Sequence, residues 1–232
     1  MHPAAASLYG LGYTLLMSRR ALVQARRSSS REAVGAVALH WAQTLCQRCG
    51  VHVVAEDLQR IDWNQNLVVA ANHQSLFDIP VLLTALGRAF GFLTKRELFR
   101  IPAFGQAISQ LGCVSIDRSD RTSASEAISS AAERVREGAS LVVFPEGTRS
   151  ADGQLGAFKK GPFYLVQEAG VPVVPVALVG TGRVLHKHGV LVNPAEVTVR
   201  AGEPLRCADN TVSAREALRS SVRDAMLGLL KR

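Results

Sequence analysis

Residues 67–78, LVVAANHQSLFD, join a short apolar run to a polar cluster that contains His73 and Asp78. The first five residues are all apolar, which is typical of a strand buried on both faces of a sheet. A further apolar stretch that extends to Leu86 predicts a helix directly after the cluster. A buried strand followed by a helix is the repeating unit of a parallel sheet covered by helices. This segment therefore indicates an α/β fold.

The same alternation of short apolar runs and helical stretches continues along the chain. The runs that predict further strands are residues 113–116, 141–144, 173–178 and 197–201, the last as an edge strand. Two capping boxes predict helix starts, Ser123 with Glu126 and Ser213 with Glu216. We predict a mainly parallel sheet with helices on both faces, preceded by an N-terminal helical hairpin.

The first 50 residues differ in character from the rest of the chain. Residues 3–18 and 33–47 carry no charge, yet each is shorter than the roughly 20 strongly apolar residues that span a bilayer. Five arginines lie between the two segments: Arg19, Arg20, Arg26, Arg27 and Arg31. Arginines beside apolar helices favour an anionic membrane surface, where each contributes about 1 kcal/mol. We expect residues 1–50 to form a membrane-interfacial hairpin and residues 51–232 an α/β domain; the alternative is a helical pair that only covers the core.

Composition limits the class of protein. The chain has 232 residues, of which 47% are hydrophobic and 20% charged, which excludes a disordered or disulfide-stapled chain. The formal net charge of +8 predicts an anionic partner: a nucleic acid, a phosphate-bearing substrate or an acidic membrane. Aromatic residues make up 6% and do not interleave with the basic ones, which disfavours a nucleic acid.

The cysteines and the N-terminus indicate a reduced protein that faces the cytosol. The four cysteines show no repeating spacing, and Cys46 with Cys49 lacks the second pair that a zinc site needs. The first arginines follow the apolar N-terminal stretch instead of preceding it, so we expect no secretory signal. We predict structural thiols and no metal site.

His73 and Asp78 are candidates for a catalytic pair. On a continuous helix, five residues correspond to a turn of about 140°, so the two side chains would face different directions. Pro80 is tolerated only in a first helical turn, so the helix is expected to begin near Asp78 with His73 folded back over its start. The carboxylate can then accept the Nδ1–H of the imidazole and leave Nε2 free as a base. The alternative is a capping aspartate beside an unrelated histidine at a strand end.

A second polar cluster, FPEGTRS, covers residues 144–150 directly after a predicted strand and places Thr148 on a turn. Gly147 allows a ligand to approach the backbone closely, and Arg149 presents a fork of donors that suits phosphate oxygens. Arg118 follows a neighbouring predicted strand. Ligands of α/β sheets bind beyond the carboxyl ends of the strands, so we expect these clusters to form one site.

Two arginines at one sheet edge require negative charge nearby. A substrate phosphate can supply it. The alternative is an internal ion-pair network in which Glu146 and Asp117 neutralise the arginines.

Four segments resemble, in order and spacing, the sequence blocks of glycerophospholipid acyltransferases, and most closely those of the bacterial 1-acyl-sn-glycerol-3-phosphate acyltransferase family. They are NHQSLFD (72–78), GCVSIDR (112–118), FPEGTRS (144–150) and VPVVPVAL (171–178). The resemblance implies that His73 is the general base and that Asp78 orients it. The substrate-binding residues that it implies are Arg118, Glu146, Gly147, Thr148 and Arg149. It also relates Pro175 to the acyl-chain side and Lys95 to a further basic position.

The implied reaction moves a fatty acyl group from acyl-CoA or acyl-carrier protein to the free hydroxyl of lysophosphatidic acid, giving phosphatidic acid in phospholipid synthesis. It needs no metal and no redox cofactor, and nucleic acid is not an expected partner. Ser115 stands where this family usually carries a bulky aromatic residue, so another lysolipid, such as a lyso-amino-lipid or lysophosphatidylglycerol, stays an alternative acceptor. A non-catalytic anionic-lipid-binding module is the alternative from another class. Because the substrate is a lipid, we expect an interfacial protein at the cytoplasmic face of the inner membrane.

Overall fold

The computed structural model describes residues 1–28, 30–117 and 121–232. Its centre is a sheet of seven strands in the order β1-β7-β6-β2-β5-β3-β4. The strands are Val51–Glu56 (β1), Val68–Ala71 (β2), Gly91–Lys95 (β3), Val114–Ile116 (β4), Leu141–Val143 (β5), Val173–Val179 (β6) and Ala195–Ala201 (β7). The α-helices of the described residues are Pro3–Arg27 (α1), Arg31–Arg48 (α2), Asp78–Leu86 (α3), Phe104–Gln110 (α4), Arg121–Arg136 (α5), Gly161–Ala169 (α6), Thr181–Val184 (α7) and Val212–Lys231 (α8).

Five neighbouring strands, β6-β2-β5-β3-β4, are parallel, which confirms the predicted mainly parallel sheet. β7 runs antiparallel to β6 and parallel to β1. The strand predicted at residues 197–201 is confirmed as part of β7, but its predicted edge position is wrong. β1 pairs outside it along its whole length, from Val51 to Glu56, and is itself the edge strand.

Alternate residues of β2 supply two hydrophobic cores on opposite faces of the sheet. Val69 and Ala71 belong to the core beneath α1–α4, and Val68 and Ala70 belong to the core beneath α5, α6 and α8. All four residues are buried, which explains why the strand shows an uninterrupted apolar run in the sequence. The predicted layers of helices on both faces are confirmed.

The N-terminal helical pair packs on the first of these cores. Ala6, Ala42 and Leu45 are buried in it, and Trp41 Nε1 donates a hydrogen bond to Thr14 Oγ1 at 3.0 Å between the two helices. None of the helices within the described residues is long and apolar enough to cross a membrane.

Both predicted capping boxes place the helix start too late. α5 begins at Arg121, so Ser123 lies inside its first turn. α8 begins at Val212, because the hydroxyl of Thr211 accepts the backbone N–H of Ala214 at 3.1 Å and caps the helix. Thr211 offers the same hydroxyl as Ser213 two residues earlier, and only its local backbone conformation makes it the cap.

Candidate active site

The carboxyl ends of the parallel strands meet at one edge of the sheet, and polar segments follow them there. His73 comes two residues after the end of β2, and the segment 144–150 follows β5, the neighbouring strand. Asp117 follows β4 at the far side of the parallel strands. Arg118, which we predict to bind substrate, lies outside the described residues.

His73 and Asp78 are in direct contact. His73 Nδ1 lies 2.6 Å from Asp78 Oδ2, and the same oxygen accepts the backbone N–H groups of Gln74 at 2.8 Å and Ser75 at 2.9 Å. The predicted local fold explains this contact, since α3 begins at Asp78 and Pro80 sits in its first turn. The chain turns between the two residues and folds His73 back over the helix start.

The imidazole ring of His73 is fixed by a stacking contact on one face and by the contact of Nδ1 with Asp78. Its ring stacks on Phe144 at 4.0 Å between centroids and 16° between planes, and the side chain is 17% exposed. Because a carboxylate only accepts hydrogen bonds, the Nδ1 of His73 is the protonated nitrogen. Nε2 has no hydrogen-bond partner in the part of the chain that the structure describes. A fixed imidazole with a free Nε2 is suited to act as a general base.

The backbone of His73 is fixed by the neighbouring cluster. Its N–H donates to Glu146 Oε1 at 2.8 Å, and its carbonyl accepts the N–H of Ser150 at 2.7 Å. On the other side, the amide side chain of Asn72 pairs with both the N–H and the carbonyl of Leu178 in β6. The strand end that carries the imidazole is therefore tied to both neighbouring strands.

Glu146 is buried, with 5% of its surface exposed. Its second oxygen, Oε2, accepts the N–H of Gly156 at 2.8 Å, so both oxygens bind backbone donors. Burial raises the pKa of this carboxyl, while the hydrogen bonds from Gly156 and His73 act in the opposite direction. In this arrangement Glu146 braces the site; its predicted contact with substrate stays a prediction.

The next three residues of segment 144–150 form a turn at the surface. Gly147 has a φ of +75°, a conformation that favours glycine. Thr148 is exposed and Arg149 is half-buried. Arg149 has no ion-pair or hydrogen-bond partner among the described residues. A cation without a carboxylate partner beside an accessible backbone turn can bind an anion.

The ion-pair network that was the alternative to a bound phosphate does not form around Arg149. Glu146 is occupied by backbone N–H groups, and Asp117 pairs with Arg96 at 3.0 Å. The roles that the resemblance implies for Pro175 and Lys95 stay predictions. Pro175 is buried inside β6, opposite Ala70, and Lys95 ends β3 and pairs with Glu97 at 3.1 Å.

Sequence patterns had not singled out two residues that shape the site, Asn72 and Phe144. Each immediately follows the last residue of a buried strand, which is the signal that could have found them. Within residues 1–28, 30–117 and 121–232, no three side chains of the metal-binding types lie close enough together to hold a metal ion.

Residues 51–179 match the family model described as Acyltransferase. The chain belongs to the acyltransferase family. This acyltransferase is 41% identical over 161 residues to the chloroplastic 1-acyl-sn-glycerol-3-phosphate acyltransferase LPAT1 of Arabidopsis thaliana, covering 68% of this chain and 44% of the relative. It is 26% identical over 182 residues to the 1-acyl-sn-glycerol-3-phosphate acyltransferase of Borreliella burgdorferi, covering 78% of this chain and 73% of the relative.

Its fold matches the crystal structure of the 1-acyl-sn-glycerophosphate (LPA) acyltransferase PlsC from Thermotoga maritima. The TM-score is 0.80 at 28% identity, over 98% of this chain and 95% of that one. A chloroplastic 1-acyl-sn-glycerol-3-phosphate acyltransferase of Brassica napus, BAT2, is 44% identical over 140 residues, 60% of this chain and 40% of the relative. The chain therefore spans less than half the length of the two plant relatives. The predicted family resemblance is confirmed.

Proposed function

We propose that this acyltransferase moves a fatty acyl group from acyl-CoA or acyl-carrier protein to the free hydroxyl of lysophosphatidic acid, giving phosphatidic acid in phospholipid synthesis. The observation that carries the proposal is the His73–Asp78 pair at the carboxyl edge of the sheet, with Nε2 free among the described residues. The acceptor is supported by the names of the relatives, which act on 1-acyl-sn-glycerol 3-phosphate.

In the proposed reaction His73 Nε2 removes the proton of the acceptor hydroxyl as that oxygen attacks the thioester carbonyl. The carbon–sulfur bond then breaks, and the leaving thiolate takes the proton back from the imidazolium. Asp78 keeps Nδ1 protonated and stabilises the transient imidazolium with its buried carboxylate. A positioned general base contributes about 10²–10⁴-fold to the rate. No metal or redox cofactor takes part in this scheme.

The phosphate of the acceptor positions the hydroxyl beside His73. Arg149 and Arg118 are the proposed cations, and holding both reactants in line can lower the barrier by several kcal/mol, up to about 10.

An Arg118→Ala variant should mainly raise the Michaelis constant for the acceptor. An unchanged dependence of the rate on acceptor concentration would show that the phosphate binds elsewhere.

Because the proposed substrate is a lipid, we propose that the enzyme acts at a membrane surface. Transfer of a chain of about sixteen carbons into water costs about 12 kcal/mol at ~0.8 kcal/mol per CH₂. Large apolar side chains are exposed on α1 and on two loops: Leu8, Leu11, Leu15, Leu16, Val23, Leu76, Val190 and Leu191. One of these loops is tied to α1, since the N–H of Val192 donates to Ser7 Oγ at 3.0 Å. With the arginines at residues 19–31, this surface supports docking on an anionic leaflet, for which we propose the cytoplasmic face of the inner membrane.

A different lysolipid is the second candidate acceptor, favoured by one observation. Ser115 is a small, half-buried residue of β4 where the family usually has a bulky aromatic side chain. The extra space can admit a larger headgroup, such as that of lysophosphatidylglycerol.

The test is an assay of the purified chain with a panel of lysolipids and with both acyl-CoA and acyl-carrier protein as donors. His73→Ala should lower turnover at least ~100-fold, while the thermal midpoint and vesicle binding stay unchanged. Asp78→Asn should also lose most of its turnover while the protein stays folded. Retained turnover in His73→Ala would rule out the base assignment. Vesicle binding without turnover on any lysolipid would identify a non-catalytic lipid-binding module.

A further inference from the structure

Lys159 lies against the turn formed by residues 147–149. A Cβ placed on Gly147 would be 3.4 Å from Cγ and 3.8 Å from Cε of Lys159, so the lysine stem runs along the glycine. The ammonium group is one bond beyond Cε and therefore sits beside the same turn. The N–H of Lys159 donates to the carbonyl of Pro145 at 2.7 Å, which fixes the backbone from which the side chain extends.

The chain on both sides of Lys159 is anchored. Phe158 is buried and stacks on Phe163 at 6.1 Å between centroids. Lys160 is the last residue before α6, which begins at Gly161. The backbone of Lys159 is thus fixed by its neighbours, and its exposed side chain extends along Gly147.

The charge of Lys159 is not balanced within the described residues. No carboxylate there forms an ion pair with Lys159, whereas Lys160 Nζ lies 3.6 Å from Glu216. Glu146, which directly precedes Gly147, uses both oxygens to bind backbone N–H groups. Arg149 on the same turn also has no anionic partner among the described residues. Two cations without a carboxylate partner among the described residues thus lie at one turn, where the stem of Lys159 packs against Gly147.

We propose that Lys159 is a further cation of the acceptor-phosphate subsite, in addition to the arginines proposed above, and that it favours a phosphate monoester over a phosphate diester. A monoester carries close to two negative charges at neutral pH and offers three terminal oxygens, whereas a diester carries one charge and offers two. Each cation beside the phosphate attracts the doubly charged monoester about twice as strongly as the singly charged diester, so Lys159 contributes more to binding of the monoester. This inference rests on the proposed function, because it assigns the acceptor of that reaction.

The experiment compares Lys159→Gln with the matched control Lys160→Gln. The acceptors are lysophosphatidic acid, a monoester, and lysophosphatidylglycerol, a diester. Lys159→Gln should raise the Michaelis constant for the monoester about 10-fold or more, the size expected for one lost charge-assisted contact. It should leave kcat within about two-fold and change the diester reaction much less. Lys160→Gln should change neither. Equal effects of Lys159→Gln on the two acceptors would overturn the assigned selectivity.

A binding measurement separates this inference from the proposed reaction. Equilibrium dialysis would follow lysophosphatidic acid and monoacylglycerol in neutral detergent micelles, using the His73→Ala chain with and without each lysine change. Weaker binding of lysophosphatidic acid in the Lys159→Gln protein only, with monoacylglycerol unaffected, supports the subsite even if the wild-type chain transfers no acyl group. Equal binding of lysophosphatidic acid by the two lysine variants would overturn the inference while leaving the catalytic pair in place.

Discussion

Glu146 links the two polar segments of the site through backbone contacts. One oxygen accepts the N–H of His73 and the other accepts the N–H of Gly156, so the carboxylate joins the end of β2 to the loop after β5. Its oxygens are thus the acceptors for one backbone donor in each of these two parts of the chain. At this scale the position of the imidazole depends on a residue that does not touch its ring.

Glu146→Gln should destabilise the protein although the two side chains have the same shape. The amide replaces one acceptor oxygen with a donor, which leaves a backbone N–H unsatisfied at a cost of about 1–3 kcal/mol. Urea unfolding at pH 7 measures this loss. Turnover should also fall, because the N–H of His73 or of Gly156 loses its partner. Unchanged stability and unchanged kcat would show that Glu146 does not brace the site.

The raised pKa of Glu146 predicts how the difference in stability between the wild type and Glu146→Gln changes with pH. Burial raises the pKa of Glu146 above its ordinary 4.5, so the folded protein binds this proton more tightly than the unfolded chain does. The stability that follows is fully present below pH 4.5 and is lost as the pH rises through the raised pKa. The free energy of unfolding of the wild type minus that of Glu146→Gln should therefore decrease between pH 4 and pH 7. An increase over this range would contradict the raised pKa.

At the scale of elements, α1 has a buried face and an exposed apolar face. Ala6, Met17 and Ala21 are buried, whereas Leu8 and Leu11 are 73% and 65% exposed. The exposed leucines recur three or four residues apart and so lie on one side of the helix. One face of α1 thus packs on the core, and the exposed apolar face fits the docking on a membrane surface that we propose above.

Replacing Leu8, Leu11 and Leu15 together by Gln should weaken binding to anionic vesicles. Each leucine contributes about 2 kcal/mol when buried, so partial immersion of three predicts a loss of at least about 100-fold in the partition coefficient. Vesicle co-sedimentation measures it. Val212→Gln is the matched control, since Val212 is also exposed but starts α8 on the opposite layer. Equal losses in the two proteins would remove α1 as the docking face.

At the scale of the whole molecule, the sheet order makes neighbours of segments that are distant in the chain. β2 lies between β5 and β6, so His73 meets the loop after β5 on one side and Asn72 meets Leu178 of β6 on the other. The two cores on either face hold these strands in place. The proposed catalytic pair thus lies at the edge of the sheet, with the strand interiors buried behind it.

The same packing buries three of the four thiols. Burial raises the pKa of Cys46 and of Cys113 to about 11 and also raises the pKa of Cys49. At pH 8 about one molecule in a thousand then carries the Cys46 or the Cys113 thiolate, the reactive form. We expect a thiol reagent at pH 8 to label only the half-buried Cys207 rapidly, and all four cysteines after denaturation. A Cys207→Ser protein that still labels rapidly in the folded state would contradict the packing of the N-terminal pair and of β4.

Much of the fold and part of the site follow from local patterns. The five predicted strands are all present, because an apolar run between turns carries its own signal. The contact between His73 and Asp78 was predictable because Pro80 restricts where the helix can begin. β1 and β3 were not predicted: β1 has one buried residue, Val51, followed by half-buried and exposed ones, and β3 begins at a glycine and ends in the polar residues Thr94 and Lys95.

The local sequence was therefore sufficient to predict the α/β class, the strand–turn–helix around His73 and the two apolar segments at the N-terminus. These features depend on interactions between residues that are close in sequence. Strand order, the pairing of β1 outside β7, the two backbone contacts of Glu146 and the position of Lys159 beside Gly147 depended on the tertiary structure. Each of these contacts joins residues that are 10 to about 145 positions apart. A local pattern cannot predict them, because burial of both faces of the sheet decides which distant segments become neighbours.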